Sequence, residues 1–177
     1  KMNSLCDPVI MNALYDASKA GVKIDLIVRG ICCIKAGVPG LSENISVRSI
    51  VGNYLEHSRI FYFYNDGFED IYMGSADWMP RNLDKRVEIT FPVEDPELKT
   101  KVKEILQVQL ADTLKAHIMQ PDGSYVKQDL RGKIRLDSQM YFVKKAQAGQ
   151  EIEDDVENKR VFIPIESRED ETDSQTE

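Results

Sequence analysis

From about residue 8 to residue 20, apolar positions recur at helical spacing: Val9, Ile10, Ala13, Leu14 and Ala17 share one face, and Gly21 supplies a stop. The period then changes. Val22-Lys23-Ile24-Asp25-Leu26-Ile27-Val28 is β-rich and grows more apolar toward its end, as expected of a parallel strand buried between helices. Arg29-Gly30 ends it, so helix, tight turn and strand predict half of a right-handed α/β crossover. Gly37, Pro39 and Gly40 predict a loop over 31–44, and 45–54 fits either a strand or a helix. Arg59 to Asn65 is aromatic and β-branched and predicts a strand. Asp66-Gly67 is its turn, with Glu69 to Gly74 the returning arm of a hairpin. Lys85 to Phe91 alternates and predicts another strand. Asp95-Pro96-Glu97 places an N-cap before a proline at the first helical position. The helix that follows is predicted to run to about 117, with Val102, Ile105, Leu106, Leu110 and Leu114 on one face and His117 at its end as a structural group favoured by the helix dipole. Residues 118–133 are polar and turn-rich, and a last helix is predicted near 136–147.

Composition adds a boundary. The chain has 177 residues, 42% of them hydrophobic, enough for one domain with a core. No run of eighteen apolar residues occurs to span a membrane, and no cleavable signal peptide is visible. The opening Lys1-Met2-Asn3 lies so close to an apolar pattern already under way that it reads as a cut inside a longer protein. The net charge of −7 is unevenly spread: residues 149–177 hold eleven acidic against three basic side chains, a balance of −8, which leaves 1–148 at about +1. This predicts a folded domain over 1–148 and an acidic, disordered tail over 149–177, in which Val161-Phe162-Ile163-Pro164-Ile165 is a short apolar patch able to dock as an extended segment. Cys6, Cys32 and Cys33 are too few and too close for a disulfide framework and lack zinc spacing, so they read as small buried thiols in a reducing compartment.

Candidate chemistry concentrates between 57 and 88: His57-x-Arg59, Gly74-Ser75-Ala76-Asp77-Trp78, Arg81-Asn82 and Asp84-x-Arg86-x-Glu88. Histidine can exchange a proton or a phosphoryl group near neutral pH. Arginine forks match phosphate oxygens in pairs. Ser75 and the amides of a glycine turn can donate to the same oxygens, while Asp77, Asp84 and Glu88 can orient His57 or an arginine from behind. The plainer alternative is that Arg59, Arg81 and Arg86 pair with those carboxylates on a solvated surface, with Trp78 in the core. Arg29 is a second signal, because open α/β sheets bind ligands beyond the carboxyl ends of their strands. A purely structural arginine there would need a carboxylate nearby. Lys35 and Arg48 can extend a positive basin. No metal ligands are assigned.

These residues also carry a resemblance. Lys1-Met2-Asn3-Ser4-Leu5-Cys6-Asp7, Asp25-Leu26-Ile27-Val28-Arg29-Gly30-Ile31-Cys32, Leu55-Glu56-His57-Ser58-Arg59 and Ser75-Ala76-Asp77-Trp78-Met79-x-Arg81-Asn82 resemble the C-terminal domain of long-type bacterial polyphosphate kinases, over roughly residues 1–145. The resemblance implies an α/β fold of the phospholipase D type, a mixed sheet flanked by helices. His57-x-Arg59 and Gly74-Ser75-x-Asp77 are similar to the His-x-Lys and Gly-Ser-x-Asn of that superfamily, with arginine and aspartate substituted. It implies half of an active site for reversible transfer of the terminal phosphate of ATP, with Mg2+, to polyphosphate through a phosphohistidine in a preceding domain. Arg29, His57, Arg59 and Arg86 would contact phosphate, with His57 catalytic and facing the phosphohistidine. Implied partners are ATP or ADP, polyphosphate and the preceding domain, in a cytoplasmic homo-oligomer at most peripheral to the membrane, with no nucleic acid. Two other readings stay open at this point: a phospholipase D-like phosphodiesterase built from two copies, and a non-catalytic polyphosphate- or nucleotide-binding module.

Overall fold

The structure is a computed structural model that describes residues 1–153. The chain divides into two compact units, residues 1–143 and 144–177. In the first, α1 (Pro8–Lys19) starts where the Asp7 carboxylate accepts the amide of Ile10 and Pro8 takes the first helical position. After the turn at Gly21, β1 (Ile24–Ile27) pairs in parallel with β2 (Ile45–Ile50), and β2 pairs antiparallel with β6 (Ala116–Met119), itself paired with β7 (Tyr125–Lys127). A second sheet contains β3 (Arg59–Phe63), β4 (Asp70–Gly74) and β5 (Thr90–Pro92), all antiparallel.

Residues 1–5 join the two sheets. Met2 and Leu5 bridge in parallel to Val28 and Cys32, while the Lys1 main chain exchanges N–H···O bonds with Ile60 on β3. The α1 helix is therefore the crossover between this extended segment and β1, as the sequence predicts. Leu5 is fully buried in the core made by Met2, Leu26, Val28, Ile45 and Val47. Its truncation to Ala is expected to lower stability by about 2–5 kcal/mol, read as a shift of the urea unfolding midpoint at constant slope. The second core packs Ile60, Ile71 and Val93 against Val102, Ile105 and Leu106 of α3 (Pro96–Leu110), and Leu106 and Leu110 also cover Ile27 and Ile50. This helix thus spans both sheets from behind.

Several expectations need correction. The long helix ends at Leu110, because the buried Asp112 carboxylate accepts the amides of Lys115 and Ala116 and turns the chain. Leu114 leaves the helical face, and His117 lies within β6, its Nδ1 3.1 Å from the Lys115 carbonyl. The stretch 118–133 contains β7 as well as turns. Lys85 to Phe91 is not one strand: Lys85 ends α2 (Pro80–Lys85), Val87 is wholly exposed, and pairing begins only at Thr90. The ambiguous 45–54 resolves into β2 followed by a loop. Cys33 is exposed, and Cys6 and Cys32 are half-buried, because they sit where the joining segment leaves the sheet. Helix α4 (Ser138–Glu153) runs past 147, and its part from 144 onward is all of the second unit that the structure describes; the rest of the expected tail, with its 161–165 patch, lies outside the described residues. No described helix is long and apolar enough to cross a membrane.

Candidate active site

The joined sheets align the carboxyl end of β1, the start of β3 and the end of β4, and Arg29, Arg59 and Asp77 meet there around the Asn3 main chain and side chain. Asp77 is the hinge pin. It is 4% exposed, its Oδ1 accepts the Asn3 amide at 2.7 Å, and both oxygens accept the Arg59 fork, Oδ1 from Nε at 3.1 Å and Oδ2 from Nη2 at 3.0 Å. Burial opposes its ionisation, but Arg59 and the amides of Asn3 and Ser4 outweigh it and hold the carboxyl below the usual carboxylate range. Arg59 also donates from Nη1 to the His57 carbonyl at 2.9 Å, and its Nη2 lies 3.0 Å from His57 Nε2. Guanidinium nitrogens only donate, so Nε2 accepts and the proton of a neutral His57 sits on Nδ1. His57 itself is exposed.

Arg29 belongs to the same assembly through Asn3. Its Nε and Nη2 both donate to Asn3 Oδ1, at 2.9 and 2.5 Å, and it makes no ion pair among the described residues. The carboxylate that a structural arginine would require is not there. A further cation, Lys1, lies between them. Its Nζ bonds to the Ser58 carbonyl and hydroxyl and pairs with Glu56 at 3.4 Å. Burial lowers its pKa against the pull of Glu56, and the charges of Arg29 and Arg59 lower it further, which places three cationic groups in one field.

The opposite side of this edge is held by Glu88. It accepts the Ser75 hydroxyl and, at 2.6 Å, the Asn82 amide, and these bonds hold its carboxyl below the ordinary range, with added pull from Arg86 and Arg59. The Ser75 hydroxyl is committed to Glu88 and its amide to the Ile89 carbonyl, so neither is left to donate to a phosphate. Gly74 permits the close approach: a Cβ there would stand 2.6 Å from the Ile89 carbonyl oxygen. Arg86 is exposed, immediately after α2, without an ion pair among the described residues. Asp84 is exposed and bonds neither His57 nor an arginine there. Of the pairs considered for Arg59, Arg81 and Arg86, only Arg59–Asp77 forms among the described residues, and it is largely buried instead of solvated. Trp78 stacks on Phe61 at 5.2 Å and packs against the core. Arg48 lies on β2 and donates to the Leu110 carbonyl at the end of α3, which takes it out of the expected basin.

The family model described as polyphosphate kinase C-terminal domain 2 matches residues 1–139. The chain belongs to the polyphosphate kinase C-terminal domain 2 family. It is 48% identical to a polyphosphate kinase of Lactiplantibacillus plantarum over 98% of this chain and 25% of that protein, and 61% identical to one of Synechocystis over 72% of this chain and 17% of that protein. The crystal structure of polyphosphate kinase from Porphyromonas gingivalis superposes with a TM-score of 0.80 at 41% identity, covering 85% of this chain and 23% of that one. The chain thus spans a quarter or less of the length of these polyphosphate kinases. Their fold agrees with the expected phospholipase D-like arrangement, here two sheets flanked by helices.

Five members of this side-chain assembly were not singled out from the sequence. Asn3, Glu56 and Asn82 lie inside motifs that were noticed for their charged neighbours. Lys1 stood in a motif too, but only the tertiary fold brings it to Glu56 and Ser58 on either side of His57 in the chain. Gln109 on α3, which donates to Glu56 at 3.0 Å, carries no local signal at all.

Proposed function

We propose that this chain supplies one half of the active site at which the terminal phosphate of ATP moves reversibly to a polyphosphate chain, the other half coming from a preceding domain of the same polypeptide. The observation that carries the reading is Arg29 in a chain of the polyphosphate kinase family: a strand-end guanidinium oriented by the Asn3 amide oxygen, with no carboxylate to neutralise it among the described residues. Transfer between two polyanions is opposed by charge repulsion, and fixed cations that meet the phosphoryl oxygens are the main means of relieving it.

In the first half-reaction a histidine nitrogen of the preceding domain attacks the γ-phosphorus. A nitrogen–phosphorus bond forms, the bond to the β,γ-bridging oxygen breaks, and ADP leaves with the electron pair. A terminal oxygen of polyphosphate then attacks the same phosphorus, and the nitrogen–phosphorus pair returns to the ring. In this chain, Arg29 and Arg86 bind phosphate oxygens. Arg59, with most of its donors committed to Asp77 and His57, positions the imidazole instead of clamping substrate. His57, with Nε2 held, offers Nδ1–H to a phosphoryl oxygen as charge shifts. Magnesium accompanies ATP. No group of three His, Cys, Asp or Glu side chains able to hold a metal ion occurs among the described residues, and the ion is assigned to the phosphates. A cytoplasmic homo-oligomer of the full-length protein belongs to the same reading.

Arg29→Ala in the intact polypeptide is expected to raise the KM for ATP by about 10- to 100-fold, the loss of charge-assisted hydrogen bonds, with Arg29→Lys recovering only part because it lacks the fork. An unchanged KM and kcat in Arg29→Ala would remove Arg29 from the substrate site and with it the basis of this reading.

A further inference from the structure

His57 sits on the loop that joins β2 to β3, residues 51–58, which has no helical or ladder hydrogen bonds of its own. A catalytic imidazole on such a loop would wander unless something outside the loop fixed it. Arg59 holds the His57 ring and carbonyl, Lys1 and Gln109 hold Ser58 and Glu56, and the earlier part of the loop is held by the first turn of α4. Gln139, 4% exposed, donates from Nε2 to the Tyr54 carbonyl at 2.7 Å and accepts the Tyr54 amide on Oε1 at 3.0 Å, the two bonds that a neighbouring strand would make. The same Nε2 lies 3.3 Å from Glu56, which neighbours His57 in the chain. Gly52 lies against this amide: a Cβ there would stand 2.3 Å from Oε1 of Gln139, so even a methyl group at 52 forces the amide to shift. The turn that carries Gln139 is itself anchored, since the fully buried Asp112 accepts the Ser138 amide at 2.8 Å.

We infer that Gln139 is a positioning residue that sets the place of His57 through the backbone of Tyr54, and that Gly52 is the cleft into which its amide fits. The positioning stands on geometry alone; its catalytic consequence rests on the transferase reading above. Nothing local to the His57 motif encodes this support, which reaches the loop from a residue more than eighty positions later in the chain.

The test compares Gln139→Ala, Gly52→Ala and the double variant in the intact polypeptide, with two readouts. The first is the rate at which diethyl pyrocarbonate acylates His57, followed by mass spectrometry with His117 as internal reference. Each single variant should speed His57 acylation several-fold and leave His117 unchanged. The second is steady-state polyphosphate synthesis: kcat should fall about 10- to 100-fold, the cost of an ångström-scale misplacement, while the KM for ATP moves less than about threefold. The double variant should match Gln139→Ala, because Gly52→Ala acts only by displacing that amide. Unchanged His57 acylation in Gln139→Ala overturns the inference even if the melting temperature or activity falls. So does a double variant whose losses add. If the wild-type polypeptide makes no polyphosphate yet both single variants speed His57 acylation, the positioning is upheld and the transferase reading alone is lost.

Discussion

Polyphosphate synthesis by the intact polypeptide carrying His57→Ala is expected to fall by about 10²- to 10⁴-fold, the range for removing a positioned acid–base or charge-stabilising side chain, with a much smaller change in the KM for ATP. The split follows from geometry. Arg29 reaches the site through Asn3 and not through His57, so ground-state phosphate binding survives the loss of the imidazole. A radiolabelled-ATP assay gives both parameters. Wild-type kcat in His57→Ala would exclude any part for the imidazole in the transfer. His57→Gln, which keeps an N–H donor near the same place, should recover some of the loss if Nδ1–H acts by donation, and none if a ring nitrogen must trade its proton.

The second large effect concerns Asp77. Removing it leaves Arg59 nearly buried, with its partner gone and the Asn3 amide unpaired. Breaking a buried pair in this way costs about 3–5 kcal/mol, so Asp77→Ala is expected to unfold at markedly lower urea concentration and to lose activity with it. Asp77→Asn isolates the charge. The folded-state pKa of Asp77 is lowered, so its contribution is present above the unfolded carboxylate pKa and is lost as pH falls through the folded value. The stability gap between wild type and Asp77→Asn should therefore be widest near neutrality and close in acid. A gap that does not change with pH would mean that the Arg59–Asp77 contact contributes through shape and not through charge.

How much of this was legible in the sequence depended on range. Arg29, His57, Arg59 and Asp77 announce themselves because chemistry and local pattern coincide: a strand that ends in Arg-Gly, and a histidine two residues before an arginine at a strand start. The main strands β1 and β3 and the α3 N-terminus follow from periodicity and from Asp95-Pro96, whose carboxylate does accept the Leu98 amide. What failed was decided by tertiary contacts. Alternation from Lys85 to Phe91 looks like a strand, but the Ser75–Glu88–Asn82 bonds hold that stretch as a connection and leave Val87 in solvent. The end of α3 is set by Asp112, whose carboxylate partners, the amides of Lys115, Ala116 and Ser138, all lie after it in sequence, the last of them 26 positions on. Ser75 and Arg59 carry the right chemistry for phosphate, yet the fold commits their donors to Glu88 and Asp77. Gln139 and Gln109 have no periodicity or motif to mark them, because their roles exist only after α3 and α4 have come up behind the His57 loop.

The five residues at the start of the chain also set a schedule for folding. Their partners, Ile60, Asp77 and Trp78, lie some sixty to seventy-five positions downstream, so during synthesis the two sheets cannot be locked together until Trp78 has left the ribosome. Until then Met2 and Leu5 can pair only with Val28 and Cys32, the side of the segment that meets β3 and Trp78 stays open, and closure over that distance makes the joining of the sheets a late event.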